Sequence, residues 1–251
     1  MISKKDLIPV ILIPIVISVI FLVITPFYEK SVEEEPITEQ TFAELLKNGK
    51  VGKFNDLKKE WNGKLEFVNM NVFDVDLSQI DLRSVRFTDA NFTDVNLAEA
   101  KMDGIEFSGV LNNVNFSKSN TKNGIFRIDA TGINFSESVI ESSDFSESVI
   151  TGNFSNSIII QADFSNTILL VDFSNSTIVE GDFSYSRGFI EEVNPKISIM
   201  DFSNSRIEIV DFSNRWGLII NSSNTELWGI NLENTNIQFR SQLEPHGKNE
   251  E

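Results

Sequence analysis

Residues 87–107 read FTDANFTDVNLAEAKMDGIEF. The stretch follows neither the two-residue period of an ordinary strand nor the 3.6-residue period of a helix. Large apolar residues recur every fifth position, at Phe87, Phe92, Leu97, Met102 and Phe107, and upstream at Phe67, Val72, Leu77 and Leu82. Two residues before each lies a second series: Leu65, Met70, Val75, Ile80, Val85, Ala90, Val95, Ala100 and Ile105. Residues two apart in an extended segment share a face, so each unit places two side chains inward and one outward. The two remaining residues must turn a corner before the next pair points inward. Repeated turning of this kind builds a solenoid of stacked coils.

Downstream, the strong positions continue as Phe116, Phe126, Phe135, Phe145, Phe154, Phe164, Phe173 and Phe183, with spacings of 10 and 9 in alternation. One residue is lost every 19, once in four units, which predicts a four-sided coil whose shortened sides stack on one another. Adding 19 predicts the structural core: one column of Phe107, Phe126, Phe145, Phe164, Phe183 and Phe202, and a facing one of Phe116, Phe135, Phe154 and Phe173. Ile140, Ile159, Ile178 and Ile197 form the third column, and Ile150 and Leu169 the shortened side. Glu192 falls on an inward position, so Gly188 to Lys196, with Pro195, is expected to form a loop or bulge.

These residues resemble the pentapeptide repeat proteins, whose unit is A-(D/N)-L-(S/T)-x around a central Leu or Phe. Ala90-Asn91-Phe92-Thr93, Val95-Asn96-Leu97 and Ala162-Asp163-Phe164-Ser165 match it. The stretch from Leu46 to Leu57 is similar to the leader that precedes such repeats. The resemblance covers roughly residues 65–239, about nine coils. It implies an all-β fold, a right-handed quadrilateral β-helix. This chain departs from the family unit in carrying Ser, Thr, Val or Ile where Ala is common.

Residues 7–25, LIPVILIPIVISVIFLVIT, are uncharged and nearly all apolar. A helix of that length covers roughly 28 Å, close to the hydrocarbon thickness of a bilayer. No small-x-small cleavage pattern follows before Pro26, so a retained transmembrane helix within residues 1–28 is expected. Lys4 and Lys5 precede the run and Glu29 and Glu33 to Glu35 follow it. The positive flank stays inside, which places the amino terminus in the cytoplasm and the repeats outside it in a single-pass arrangement. An acidic linker spans residues 29–37. A small helical cap follows over 38–64, with helices expected at Thr38–Asn48 and Phe54–Trp61 and an apolar face acting as a plug for the first coil. Residues 241–251 form a polar tail expected to be disordered.

Composition narrows the chemistry. There is no cysteine, and the single histidine, His246, lies in the tail. Disulfides, thiolate metal sites, thiol catalysis and a buried Ser-His-Asp triad are thereby excluded or unsupported, and the chain is read as non-enzymatic, with no catalytic residue and no cofactor. Acidic residues outnumber basic ones 37 to 21, which disfavours direct nucleic acid binding. Asp144, Asp163, Asp182 and Asp201, each 19 apart, are expected to form a ladder of outward carboxylates. At about 5 Å, neighbouring charges would repel by roughly 0.8 kcal/mol in water. Solvation or local hydrogen bonding explains such a ladder most simply; weak divalent-cation binding is the sharper reading. Asn115, Asn134, Asn153 and Asp172 would form an amide-rich ladder on another side. The Ser after each Phe (Ser136, Ser146, Ser155, Ser165, Ser174, Ser184, Ser203, Ser213) sits at a corner without a histidine partner. The N-F-S and N-F-T triplets at Asn91, Asn115, Asn134 and Asn153 arise from the repeat itself. Glu191 and Glu192 read as a solvated loop.

Trp216, Trp228 and Phe189 depart from the repeat frame and are candidates for the exterior. Leu227, Leu232 and Ile237 keep the period to the end, and the tail is too polar and short to plug the last coil. A homodimer through the C-terminal coil is therefore expected, as the resemblance also implies. Two functional classes remain open: a membrane-tethered scaffold outside the cytoplasm binding proteins or cell-envelope material, and an acidic rod that imitates DNA and inhibits a type II topoisomerase. The first leads, because the anchor places the repeats away from the second's target.

Overall fold

Alternating inward pairs and corners give a parallel β-solenoid of about eight turns. The computed structural model describes residues 36–186, 198–214, 218–235 and 238–240. The chain divides into two compact units, Met1–Thr38 and Glu39–Glu251. Residues 7–25 lie outside the described residues, among which no helix is long and apolar enough to cross a membrane.

The second unit begins with helix α1 (Glu39–Lys47) and helix α2 (Val51–Glu60), each within a few residues of its expected bounds. Gly49, at φ +63, ends the first by turning where a Cβ would be strained. Phe42, Leu45 and Leu46 of α1 and Phe54 of α2 are buried, and Phe42 meets Phe54 and Trp61 edge-on, each at 5.3 Å. Helix α2 satisfies the exposed edge of the first turn. The Asp81 N–H donates to Asn55 Oδ1 at 2.8 Å, and Asn55 Nδ2 donates to the Gln79 carbonyl at 3.1 Å. Lys58 Nζ donates to Asp81 Oδ1 at 3.0 Å and to the Arg83 carbonyl at 2.6 Å.

Burial works against the Asp81 carboxylate. Hydrogen bonds from the Arg83 guanidinium, from Lys58 and from the Arg83 N–H outweigh it and hold the carboxyl far below the usual range. Burial also lowers Lys58, against the pull of Asp81, so the aspartate governs behaviour in acid. Its folded pKa lies below the unfolded value of about 3.9. The stability it contributes is therefore complete above that pH and is lost as pH falls through the folded value. Asp81→Ala should destabilise the cap by about 2–4 kcal/mol at neutral pH by leaving Lys58 half-buried without its partner. The difference from wild type should shrink below about pH 4, which urea titration followed by Trp61 fluorescence would read.

Each turn offers four inward central positions, and register assigns them. The first face carries Phe67, Phe87, Phe107, Phe126, Phe145, Phe164, Phe183 and Phe212. On the second are Phe92, Leu111, Ala130, Ile150 and Leu169. The third holds Phe116, Phe135, Phe154, Phe173 and Phe202. The fourth is a six-stranded parallel sheet with Thr121, Ile140, Ile159, Ile178, Ile207 and Leu227 in line. Rings stack within a face, as Phe126 on Phe145 at 4.5 Å and 2°, and meet the opposite face edge-on, as Phe126 against Phe135 at 87°. This herringbone satisfies the ring quadrupoles in both directions.

Two expectations change. In one turn, the one that contains Ser186, the register step is 29 rather than 19: Ser157 bonds to Ser176, but Ser176 bonds to Ser205. Phe202 therefore stacks on Phe173, not Phe183, and Phe212 takes the place after Phe183. Likewise Ile207, not Ile197, follows Ile178. The expected loop at Gly188 to Lys196 lies outside the described residues. The shortening stays beside the second face, that of Ile150 and Leu169, but changes corner: the register shifts between Phe87 and Ala90, ahead of that face, and again between Ala130 and Ile133, behind it.

Serines and threonines in the place of Ala are buried and bonded. Ser138 Oγ donates to the Phe116 carbonyl at 2.9 Å, Ser148 to Phe126 at 3.0 Å and Ser205 to Phe173 at 2.7 Å. Thr121 is different: it occupies a central position, is fully buried, and its hydroxyl has no partner. Thr121→Val keeps the shape and removes that orphan, so a gain of about 1–2 kcal/mol is expected by chemical denaturation.

Candidate functional site

The solenoid interior is filled, so its chemistry lies in the outward rows. On the first face the residue before each Phe is Asp144, Asp163, Asp182 and then Asp211, bridged in succession. Asp201, which a 19-residue count puts next in this ladder, instead pairs with Asp172 on the third face. The displaced register after Ser186 is the cause.

Each of these carboxylates caps a turn. The Ser146 N–H donates to Asp144 Oδ1 at 2.9 Å, and the same bond joins Ser165 to Asp163, Ser184 to Asp182 and Ser203 to Asp201, each at 2.8 Å, and Ser213 to Asp211 at 2.7 Å. An Asx turn of this type uses one carboxylate oxygen for the backbone two residues on. Asp144 also receives Arg127 Nη2 and Ser146 Oγ. Burial opposes its ionisation, but the Arg127 and Ser146 hydrogen bonds prevail and hold it below the usual carboxylate range. Among the described residues, no three His, Cys, Asp or Glu side chains converge in a way that could hold a metal ion. The third face has an amide ladder in its early turns: Asn96 donates to Asp76 at 2.9 Å, Asn115 to Asn96 at 3.0 Å and Asn134 to Asn115 at 3.1 Å. Further along, Asn221 donates to Asp201 at 3.1 Å.

Corner residues adopt left-handed backbone, and this explains the frequent Asn in the F-S-N triplets. Asn156, Asn166, Asn175, Asn204 and Asn214 have φ between 55° and 59°, a region Asn tolerates better than most residues. At the corner after the fourth face the column reads Asn123, Ser142, Gln161, Glu180, Ile209 and Gly229, all with positive φ. Ile209, at φ +53, is the exception: a β-branched residue in a region that disfavours it, with its side chain 61% exposed.

The fourth face carries apolar residues among its outward positions. Its outward positions include Val139, Ile158, Ile160, Val179 and, in register with Glu208, Trp228 at 66% exposure. Trp228 thus sits in frame, at an ordinary outward position; Trp216 and Phe189 lie outside the described residues. The run of aliphatic residues in S-I-I-I at Ser157 to Ile160 signals this face, since only the middle isoleucine of the three points inward. Two ion pairs also lie on this face, Lys122 with Glu141 at its start and Arg206 with Glu208 on the strand between Val179 and Trp228. Leu227 and Leu232, in the last turn described, are exposed.

Residues 73–109 match the family model for pentapeptide repeats in eight copies. No curated protein matches the chain. Among solved structures, a trypsin-treated variant of QnrB1, a plasmid-mediated fluoroquinolone resistance protein, is 17% identical, with 68% of this chain and 81% of that chain covered and a TM-score of 0.41. HetL, a pentapeptide repeat protein involved in heterocyst differentiation regulation from the cyanobacterium Nostoc sp. strain PCC 7120, is 16% identical over 72% of this chain and 92% of its own, with a TM-score of 0.36. Rfr23, from the cyanobacterium Cyanothece 51142, is 15% identical over 73% and 97%, with a TM-score of 0.20. Residues 73–109 thus carry pentapeptide repeats, and the same parallel pairing of coil on coil continues to the last described strand.

Proposed function

We propose that this chain is a non-enzymatic, membrane-tethered repeat scaffold that mediates protein or cell-envelope interactions outside the cytoplasm, on a right-handed quadrilateral β-helix. The observation that carries the reading is the solenoid itself: its interior is packed with stacked rings, and its outward side chains repeat in register over several turns. Such a surface suits an extended macromolecular partner better than a small substrate. The tether rests on the apolar run 7–25 and the side rests on its flanking charges. Protease added to intact cells should remove the repeat domain. A domain protected until lysis would overturn the placement.

That outcome would favour the second reading, an acidic rod that imitates DNA and inhibits a type II topoisomerase. Charge supports it: between Thr131 and Phe239, fifteen acidic residues face four basic ones. Homodimerisation through the C-terminal coil belongs with the first reading, supported by the exposed Leu227 and Leu232. Light scattering of the detergent-solubilised chain should give twice the protomer mass, and a monomer at high concentration would refute it.

A further inference from the structure

We propose that the fourth face of the solenoid, from Val139 to Trp228, is a docking surface for a cationic amphipathic helix of a protein partner. The inference rests on the scaffold reading and names the partner's chemistry. Val139, Ile158, Ile160, Val179 and Trp228 point outward from four of five successive strands of one regular sheet, the Arg206–Glu208 ion pair occupies the strand between Val179 and Trp228, and Ile209 lies at the corner. Five strands at about 4.8 Å spacing give a stripe of roughly 19 Å, the length of about 13 helical residues. The strands of Val139, Ile158, Val179 and Arg206 are each paired on both sides, so a partner lying over them must bind through side chains, as a helix with apolar anchors three and four residues apart does.

Ile209 supplies the second observation. Its corner column otherwise holds Asn, Ser, Gln, Glu and Gly, which left-handed backbone tolerates or disfavours less than a β-branched residue. A strained apolar side chain turned into solvent beside an exposed Trp marks a place where packing against a partner would compensate. Charge decides the partner's sign. Glu180 lies on that corner and Asp163 and Asp182 beside it on the first face, and none of the three has an ion pair among the described residues. A second copy of this chain would bring its own carboxylate rows against them, whereas Lys or Arg flanking an apolar stripe would neutralise them. The opposite, second face is the weaker candidate, because the register shift between Ala130 and Ile133 breaks it.

The test uses the detergent-solubilised full-length chain and a fluorescent Leu/Lys peptide of about 14 residues, long enough for the stripe, with Leu on one helical face. A scrambled peptide of the same composition and an oligolysine of equal charge serve as controls. At about 0.15 M salt, where charge alone is screened, the amphipathic peptide should bind at least about tenfold tighter than either control. Ile158→Arg and Trp228→Ala should each weaken binding by about tenfold or more, with Leu170→Arg on the opposite face within about twofold. Ile209→Asn should raise the melting temperature and weaken binding together. Absence of binding, equal binding of either control, or indifference to Ile158→Arg in a variant that melts like wild type would overturn the proposal, as would unchanged binding of Ile209→Asn. The scaffold reading would survive all of these and fails only on the protease result.

Discussion

Gly109→Ala is expected to lower the stability of the solenoid by at least about 3 kcal/mol, at or beyond the upper end for a single overpacking substitution. Gly109 sits where a shorter turn follows a longer one, paired with Ala90 just after the register shift. A Cβ there would lie 2.0 Å from the Ala90 carbonyl oxygen and 2.7 Å from its nitrogen, and the backbone holds φ +133. Both obstacles are backbone atoms locked in the ladder, so neither a rotamer change nor a small shift relieves them. Gly152 repeats the situation at the second shift, with its Cβ 2.1 Å from the Ile133 carbonyl oxygen. Gly52 is the control: it lies inside α2 with nothing within 4 Å of its Cβ. There, Ala should stabilise by about 0.5–1 kcal/mol through helix propensity alone. Guanidinium denaturation of the three variants would separate the outcomes; an unaffected Gly109→Ala would mean the shortened turn is not built as described.

Phe154→Ala should cost about 3–5 kcal/mol. The ring is fully buried, lies 5.0 Å from Phe135 and 5.3 Å from Phe173 on its own face, and meets Phe145 and Phe164 edge-on. Removing it takes one member from each of four ring pairs and opens a cavity that neighbours on a rigid ladder cannot collapse to fill. Phe154→Tyr should be milder, about 1–3 kcal/mol, because it keeps the ring and buries a hydroxyl. A Tyr variant as stable as wild type would undo the explanation for 21 phenylalanines against 2 tyrosines in this chain.

Much of this was legible from local spacing. The five-residue period predicts which side chains turn inward, and Phe67 through Phe107 are buried as the period requires. The cap's apolar residues were legible for the same reason. Its lock on the first turn was not, since nothing local connects Asn55 and Lys58 to Asp81 more than twenty residues away. The Asx turns were half-legible: Asp or Asn before Phe and Ser after it recur, but the bond between them needs the turn geometry. The apolar fourth face was hidden because its outward isoleucines read, in sequence, like further core.

Unit length and corner spacing, both local properties of the sequence, are enough to set the inward and outward pattern and the number of sides. Which residue lies above which was decided by the tertiary structure. Phenylalanines recur on alternate faces every nine or ten residues, so a count of 19 from Phe183 still lands on a phenylalanine, Phe202, although the true neighbour is Phe212. Spacing cannot tell the two apart; hydrogen bonds between turns can, because each strand pairs with a particular strand of the next turn. The same register decision moved Asp201 from one ladder to another and set Trp228 beside Ile209 on the fourth face.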